Sequence, residues 1–366
     1  MSRRLLETNQ RCFEAALSAP ERVRLLQDRA VLLARLGRVA EAEQTLLEAE
    51  QQMPCDGPVA LKLRFAYVRA IETYFSKRFA EARCAMYEAF DEARGFNEQA
   101  LVAECDAALA LFMQREGNVR ATIAHAKAAL ANSHAPREAR FRASLALASL
   151  HQDAYEHESA YRLYREMDDT VKELDDEIAT AGWLQRAALA KAAAARQSAA
   201  CGEPNLRSVN EAIAALRQCI DYSTRVSSVP AATLGYLLLA AMHVLQRQYA
   251  AALEIYDSHL PQSEGEGFLH EVTAAMADRA TCLLKLGSVD AGYAQAVASL
   301  RRLDDASPAE IRALVHENMA TAMESVQQSA QARQHRVMAQ AAWDTRRHEQ
   351  REARRILNEA ATPLVH

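Results

Sequence analysis

The stretch ERVRLLQDRAVLLARLGRVAEAEQTLLEAEQQMP, Glu21–Pro54, decides the fold. A first helix is predicted to end at Leu36-Gly37, where glycine supplies a left-handed C-terminal cap. A second helix follows, apolar at Val39, Ala42, Leu46 and Ala49 with the spacing of one buried face, and Pro54 closes it. The unit returns far along the chain. Gln27–Ala42 (QDRAVLLARLGRVAEA) is echoed by Ala277–Gly292 (ADRATCLLKLGSVDAG), with Asp-Arg-Ala and Leu-Gly at the same offsets.

Between and beyond these copies a small residue recurs forty positions apart, at Ala30, Ala70 and Ala110 and again at Ala240, Ala280 and Ala320. Twelve residues after each comes a second mark: Ala42, Ala82 and Thr122, then Ala252, Gly292 and Ala332. Paired small residues at fixed period mean helices that pack closely, turn back and repeat. Ala148 and Ala160 give a fourth unit, and Ala188 and Ala212 a fifth whose marks lie twelve residues too far apart. QSAACGEPNLRS (Gln197–Ser208) has that length and holds Gly202, Pro204 and Asn205, so the register predicts a protruding loop there. A second loop is expected at Pro261–Phe268.

The Glu21–Pro54 unit resembles a tetratricopeptide repeat. Ala30 takes the small position of the first helix, Gly37 the turn, Ala42 and Ala49 the close-packed positions of the second, and Pro54 the terminator. It departs at Arg29, where the family usually carries Leu, and lacks the early Trp. The period of forty exceeds the usual 34, as in long-repeat relatives resembling kinesin light chain or the MalT-like regulators. The resemblance implies an all-α solenoid of about eight antiparallel helix pairs in a right-handed superhelix, spanning 1–330, with a long C-terminal helix over 331–366.

Composition agrees with repeats that each pack only on their neighbours. Half the residues are hydrophobic, 6% are aromatic, and 11 Gly and 9 Pro are too few for a turn-rich β chain. A net charge of -5 offers no footprint for nucleic acid. Seven cysteines without a C-x-x-C pair read as small hydrophobes of a reduced, cytoplasmic protein. No stretch approaches 18 uncharged apolar residues, so no membrane association is expected.

From Gln331 to Ala360 seven arginines face four carboxylates along one helix whose apolar face fades after Trp343. That helix is expected either to cap the last repeat or to serve as a connector or dimerisation helix through Val337, Met338, Ala341, Ile356 and Leu357. It resembles in style the helix joining tetratricopeptide sensor regions to bacterial GGDEF cyclase domains, although no GGDEF signature occurs here.

Nothing in the sequence reads as catalytic. His151 and His157 flank a turn, and His335 and His348 lie on the long helix, without i, i+4 spacing and a third ligand for a metal. Asp168-Asp169, Asp175-Asp176 and Asp304-Asp305 sit near helix ends, where carboxylates cap or solvate. There is no glycine-rich phosphate loop and no nucleophile elbow. No enzyme, cofactor or metal is expected.

The resemblance implies instead a concave groove lined by first helices. Carried residue by residue, repeat one offers Arg24, Gln27, Val31 and Arg35. Repeat two offers Arg64, Tyr67, Ile71, Tyr74 and Phe75, and repeat three Glu104, Leu111, Gln114 and Arg115. Such a mix suits an extended acidic peptide or a protein partner, arginine forks taking carboxylates and tyrosines supplying contact area. The same tyrosines could equally pack between helices. The expected role is a non-enzymatic interaction scaffold or sensory module, bacterial in type. A small-molecule-sensing regulator, or a sensor region of a diguanylate cyclase without its output domain, is the alternative.

Overall fold

The computed structural model describes residues 3–15, 18–54, 56–200, 202, 204–226, 228–263, 269–304 and 307–361. Every regular element among them is an α-helix, eighteen in all. After α1 (Arg3–Ala15) come α2 (Ala19–Arg35) with α3 (Val39–Gln51), α4 (Val59–Phe75) with α5 (Phe79–Gly95), and α6 (Gln99–Arg115) with α7 (Val119–Ala131). Next are α8 (Arg137–Asp153), α9 (His157–Glu166) and the short α10 (Asp168–Leu174). The remaining pairs are α11 (Glu177–Ala200) with α12 (Leu206–Arg225), α13 (Val229–Leu245) with α14 (Tyr249–Ser263), α15 (Leu269–Lys285) with α16 (Val289–Leu300), and α17 (Ala309–Ser325) with α18 (Ser329–Ala361).

Partners pack on one another in α2–α3, α4–α5, α6–α7, α13–α14 and α15–α16, and first helices stack on first helices: α2 on α4 and α4 on α6, α13 on α15 and α15 on α17. This is tetratricopeptide-type solenoid packing. Seven of the first helices are 17 residues long, about 26 Å at 1.5 Å per residue. All twelve small-residue marks, Ala30 to Ala332, are buried, most of them completely. A larger side chain there would hold the two helices of a pair apart. At Gly292 even a methyl group would meet the Leu284 side chain at 2.7 Å.

The turn inside every pair but α11–α12 follows the same period. Gly37, Lys77, Gly117, Arg247, Gly287 and Gln327 all have φ between 61° and 87°. In each, two amides close the helix end, as where Gly37 donates to Ala34 at 3.0 Å and Arg38 to Leu33 at 2.9 Å. That is the Schellman closure, which satisfies otherwise orphaned carbonyls. Three of the six positions hold a residue with a Cβ in a region that favours glycine.

The chain divides into two compact units, residues 1–151, 162–183 and 356–366 forming one, and 152–161 and 184–355 the other. The core of the first is built around Tyr67, Met86 and Leu109, with Tyr74 stacked on Phe112 at 4.2 Å. The core of the second centres on Tyr256, Leu237 and Val272.

The insertion in repeat five is accommodated differently from the expected loop. Gln197–Ala200 complete α11 and Leu206–Ser208 begin α12, so the extra residues lengthen these helices to 24 and 20 residues. Asn205 caps α12, its side chain accepting from the Arg207 and Ser208 amides at 3.1 and 3.3 Å. The breakers thus make a tight link, with Cys201 and Glu203 outside the described residues. Of the second expected loop, Pro261–Ser263 end α14 and 264–268 lie outside the described residues.

α18 runs 33 residues. Ala332, Ala339, Ala342 and Arg346 are buried along one stripe, whereas Val337 and Met338 of the expected seam are 69% and 43% exposed and Leu357 is buried. His335 meets His316 of α17, Nδ1 to Nδ1 at 3.0 Å, and Trp343 donates to Glu317 at 2.7 Å. Among the described residues no helix is long and apolar enough to cross a membrane.

Candidate functional site: two inner faces

In the first unit the face of the first helices carries a lattice of alternating charge. Arg64 on α4 reaches back to Asp28 of α2 at 2.7 Å and forward to Glu104 of α6 at 3.3 Å. Arg142 on α8 donates to the Tyr67 hydroxyl and binds Glu138, one turn earlier, at 2.7 Å. Arg35, at the end of α2, binds Asp176 at 2.8 Å and Glu138 at 3.6 Å. Contacts from α2 to α8 and from α4 to α8 skip intervening repeats, so the helices curve until side chains span the face.

The lattice fixes its own charge states. Burial works against the Arg142 guanidinium, but Tyr67, Glu138 and Glu104 outweigh it and raise it above the ordinary arginine value. Arg142 in turn pulls the Glu138 carboxyl down to about 2 against the effect of burial, helped by Arg35. Burial pushes Tyr67 up to about 12 and raises Glu104, with Arg64 opposing. The Arg64 Nε is buried with no acceptor, a spare donor on this face.

The structure brings Arg35, Arg64, Tyr67 and Glu104 into this lattice and leaves the other expected groove residues out of it. Gln27 is fully buried, its Nε2 donating to the Leu61 carbonyl at 3.0 Å, so it ties α2 to α4 rather than facing a groove. Tyr74 is likewise a packing residue, stacked on Phe112 and edge-on to Phe79. Arg24 is exposed, and Arg115 is exposed and lies over the Phe79 ring at 4.2 Å. Arg142, Glu138 and Asp176 were not anticipated. Arg142 was within reach, since Arg24, Arg64, Glu104 and Arg142 follow the repeat at spacings of 40, 40 and 38. Asp176 lies 141 residues from Arg35 and carries no such signal.

The inner face of the second unit keeps an open space. A cavity of about 270 Å³ lies between four successive first helices. Leu189, Ala193 and Arg196 come from α11, Leu237 and Leu238 from α13, Glu271, Ala274 and Ala275 from α15, and Glu310 and Ile311 from α17. Glu271, Ala274, Ala275 and Asp278 follow i, i+3, i+4, i+7 spacing, one inward stripe of α15. The two alanines make the space, because longer side chains on that stripe would fill it. Arg196 binds the buried Asp278 at 2.5 Å, which also accepts from the Tyr256 hydroxyl at 3.2 Å. Glu310 binds Arg346 of α18 at 3.2 Å, and Arg346 lies 4.1 Å over the Tyr155 ring. An apolar space with a few convergent polar groups is the usual form of a ligand site. Repeats five to eight contribute its walls, with Tyr155 from the turn after α8 beside them, whereas the expected groove lies in repeats one to three. Among the described residues no group of three or more His, Cys, Asp or Glu could hold a metal.

No family model matches the sequence, and no curated protein matches it. Solved structures do. A Rap protein complexed with Competence and Sporulation Factor is 13% identical, with 93% of this chain and 98% of that chain covered and a TM-score of 0.57. Aspartyl phosphate phosphatase F from Bacillus subtilis is 11% identical over 89% of this chain and 95% of that one, TM-score 0.54. NprR in complex with its cognate peptide NprX is 12% identical over 92% and 82%, TM-score 0.52. At these identities the likeness establishes the fold alone.

Proposed function

We propose that this chain is a non-enzymatic regulatory module that holds a peptide, or an extended segment of a protein, against its inner helices. The observation that carries the reading is the cavity of the second unit, an apolar space with few polar groups made by four consecutive first helices. Two of the similar structures, the Rap protein and NprR, are complexes with Competence and Sporulation Factor and with a cognate peptide, which supports the same reading. The spare Arg64 donor favours a second site, an acidic peptide exchanging partners with Arg35 and Arg64 while Arg24 lends charge from outside.

The test is selection of binders from a random peptide library on the intact protein, followed by fluorescence anisotropy with variants. Ala275→Phe, which fills the cavity, is expected to weaken a selected peptide at least tenfold, and Lys127→Ala, an exposed change on α7, to leave it unchanged. Loss of binding in Arg35→Ala and Arg64→Ala, with Ala275→Phe unaffected, would move the site to the first unit. No selected peptide, together with a large thermal shift from a metabolite panel, would refute the peptide reading in favour of a small-molecule regulator.

A further inference from the structure

The charges around the second unit's cavity do not balance, and that selects its occupant. Arg196 is neutralised by Asp278 at 2.5 Å and Glu310 by Arg346 at 3.2 Å. Glu271, the remaining carboxylate in the lining, has no cation within ion-pair distance among the described residues. The walls are aliphatic, and the space of about 270 Å³ falls just below the roughly 300–1,000 Å³ of drug-sized sites. It therefore holds a group about the size of one side chain, and a carboxylate entering it would meet Glu271 and Glu310.

We infer that the cavity takes an aliphatic chain ending in a cation, an alkylammonium or alkylguanidinium whose charged end pairs with Glu271 and whose stem packs on Leu189, Leu237 and Ile311. This rests on the reading of the cavity as a ligand site. The same chemistry is offered by a lysine or arginine side chain of a peptide and by a free aliphatic amine. Amphipathic stems of this kind bury their methylenes while the head stays paired or wet.

Saturation-transfer NMR on the full chain with pentylamine, pentanol and pentanoate at pH 7 tests the charge selection, and N-acetyl-lysine-N-methylamide tests the peptide source. Pentylamine is expected to bind at least tenfold tighter than pentanoate. Glu271→Gln, a change at a partly exposed site that the fold tolerates, should reduce that binding roughly tenfold, the loss of one charge-assisted contact. Tighter binding of the lysine amide would assign the peptide source, and equal or weaker binding the free amine; both agree with the inference. Preference for pentanoate or pentanol, or unchanged pentylamine binding in Glu271→Gln, would overturn it while leaving the peptide reading intact. If none of the probes binds and a library-selected peptide is indifferent to Ala275→Phe, the cavity is not a site and both readings of it fall.

Discussion

Replacing His157 with leucine should flatten the acid limb of this protein's stability curve. His157 opens α9 and is 5% exposed, and neither ring nitrogen has a hydrogen-bond partner. Burial depresses its pKa to about 4; Glu310 on α17 opposes that, and Arg346 and Arg354 on α18 reinforce it. The folded protein thus refuses a proton that the unfolded chain accepts near 6.5. Stability is fully present above pH 6.5 and is lost as pH falls toward 4, because the unfolded state binds more protons throughout that window. The gap from 6.5 to about 4, at about 1.4 kcal/mol per pH unit, comes to roughly 3 kcal/mol. Leucine removes the titration and the two unmade hydrogen bonds, so the variant should be no less stable than wild type at pH 7. Urea denaturation followed by circular dichroism at pH 7, 5.5 and 4 gives both curves, and other groups that titrate in the window cancel in the difference. Parallel pH profiles for the two proteins would refute the reasoning, and so would a variant several kcal/mol weaker at pH 7.

Lys77→Gly and Arg247→Gly should each raise stability by about 1 kcal/mol, since their left-handed φ values of 64° and 61° cost a residue with a Cβ about that much; higher urea midpoints with an unchanged slope would show it. Gly292→Ala should cost about 1–3 kcal/mol of overpacking against Leu284, read as a lower melting temperature, although alanine occupies the same repeat position at Ala42 and Ala82. Tyr67→Phe should lose about 1.5–3 kcal/mol with its bond to charged Arg142, and Tyr67→Ala about 3–5 kcal/mol, because the ring is 2% exposed. Equal melting temperatures for wild type and Tyr67→Ala would put Tyr67 outside the core.

The repeat was legible because close helix contact tolerates only small residues, and each alanine mark that the sequence placed at Ala30, Ala42 and their successors is buried. The joint after α2 was legible for a similar reason, Gly37 being chosen by its backbone. What a single repeat cannot show is which of its inner residues meets a neighbour. Gln27 and Tyr74 sit at positions that face a groove in register terms, yet Gln27 is tied to the Leu61 carbonyl 34 residues away and Tyr74 is stacked on Phe112 38 residues away. The breakers Gly202 and Pro204 were read as a long loop because the same residue types make a short link, and local composition does not count the turns of the helices on either side. The cavity escaped for a related reason: it is defined by what Ala274 and Ala275 leave empty between four helices, and absence has no residue type.

The evenly spaced left-handed joints separate what can be rearranged in this molecule from what cannot. Arg247 and Gly287 adopt nearly the same backbone conformation forty residues apart, so excising 248–287 would splice one joint onto its equivalent, and the helices on either side would meet a familiar partner. The backbone is in that sense transposable, like a chain from which a link can be taken. Its binding chemistry is not. The same excision removes Glu271, Ala274, Ala275 and Asp278 together, and takes from Arg196 the carboxylate that it binds at 2.5 Å. A whole link can leave such an array with its joints intact, but its ligand chemistry survives only where that link carried none of the site.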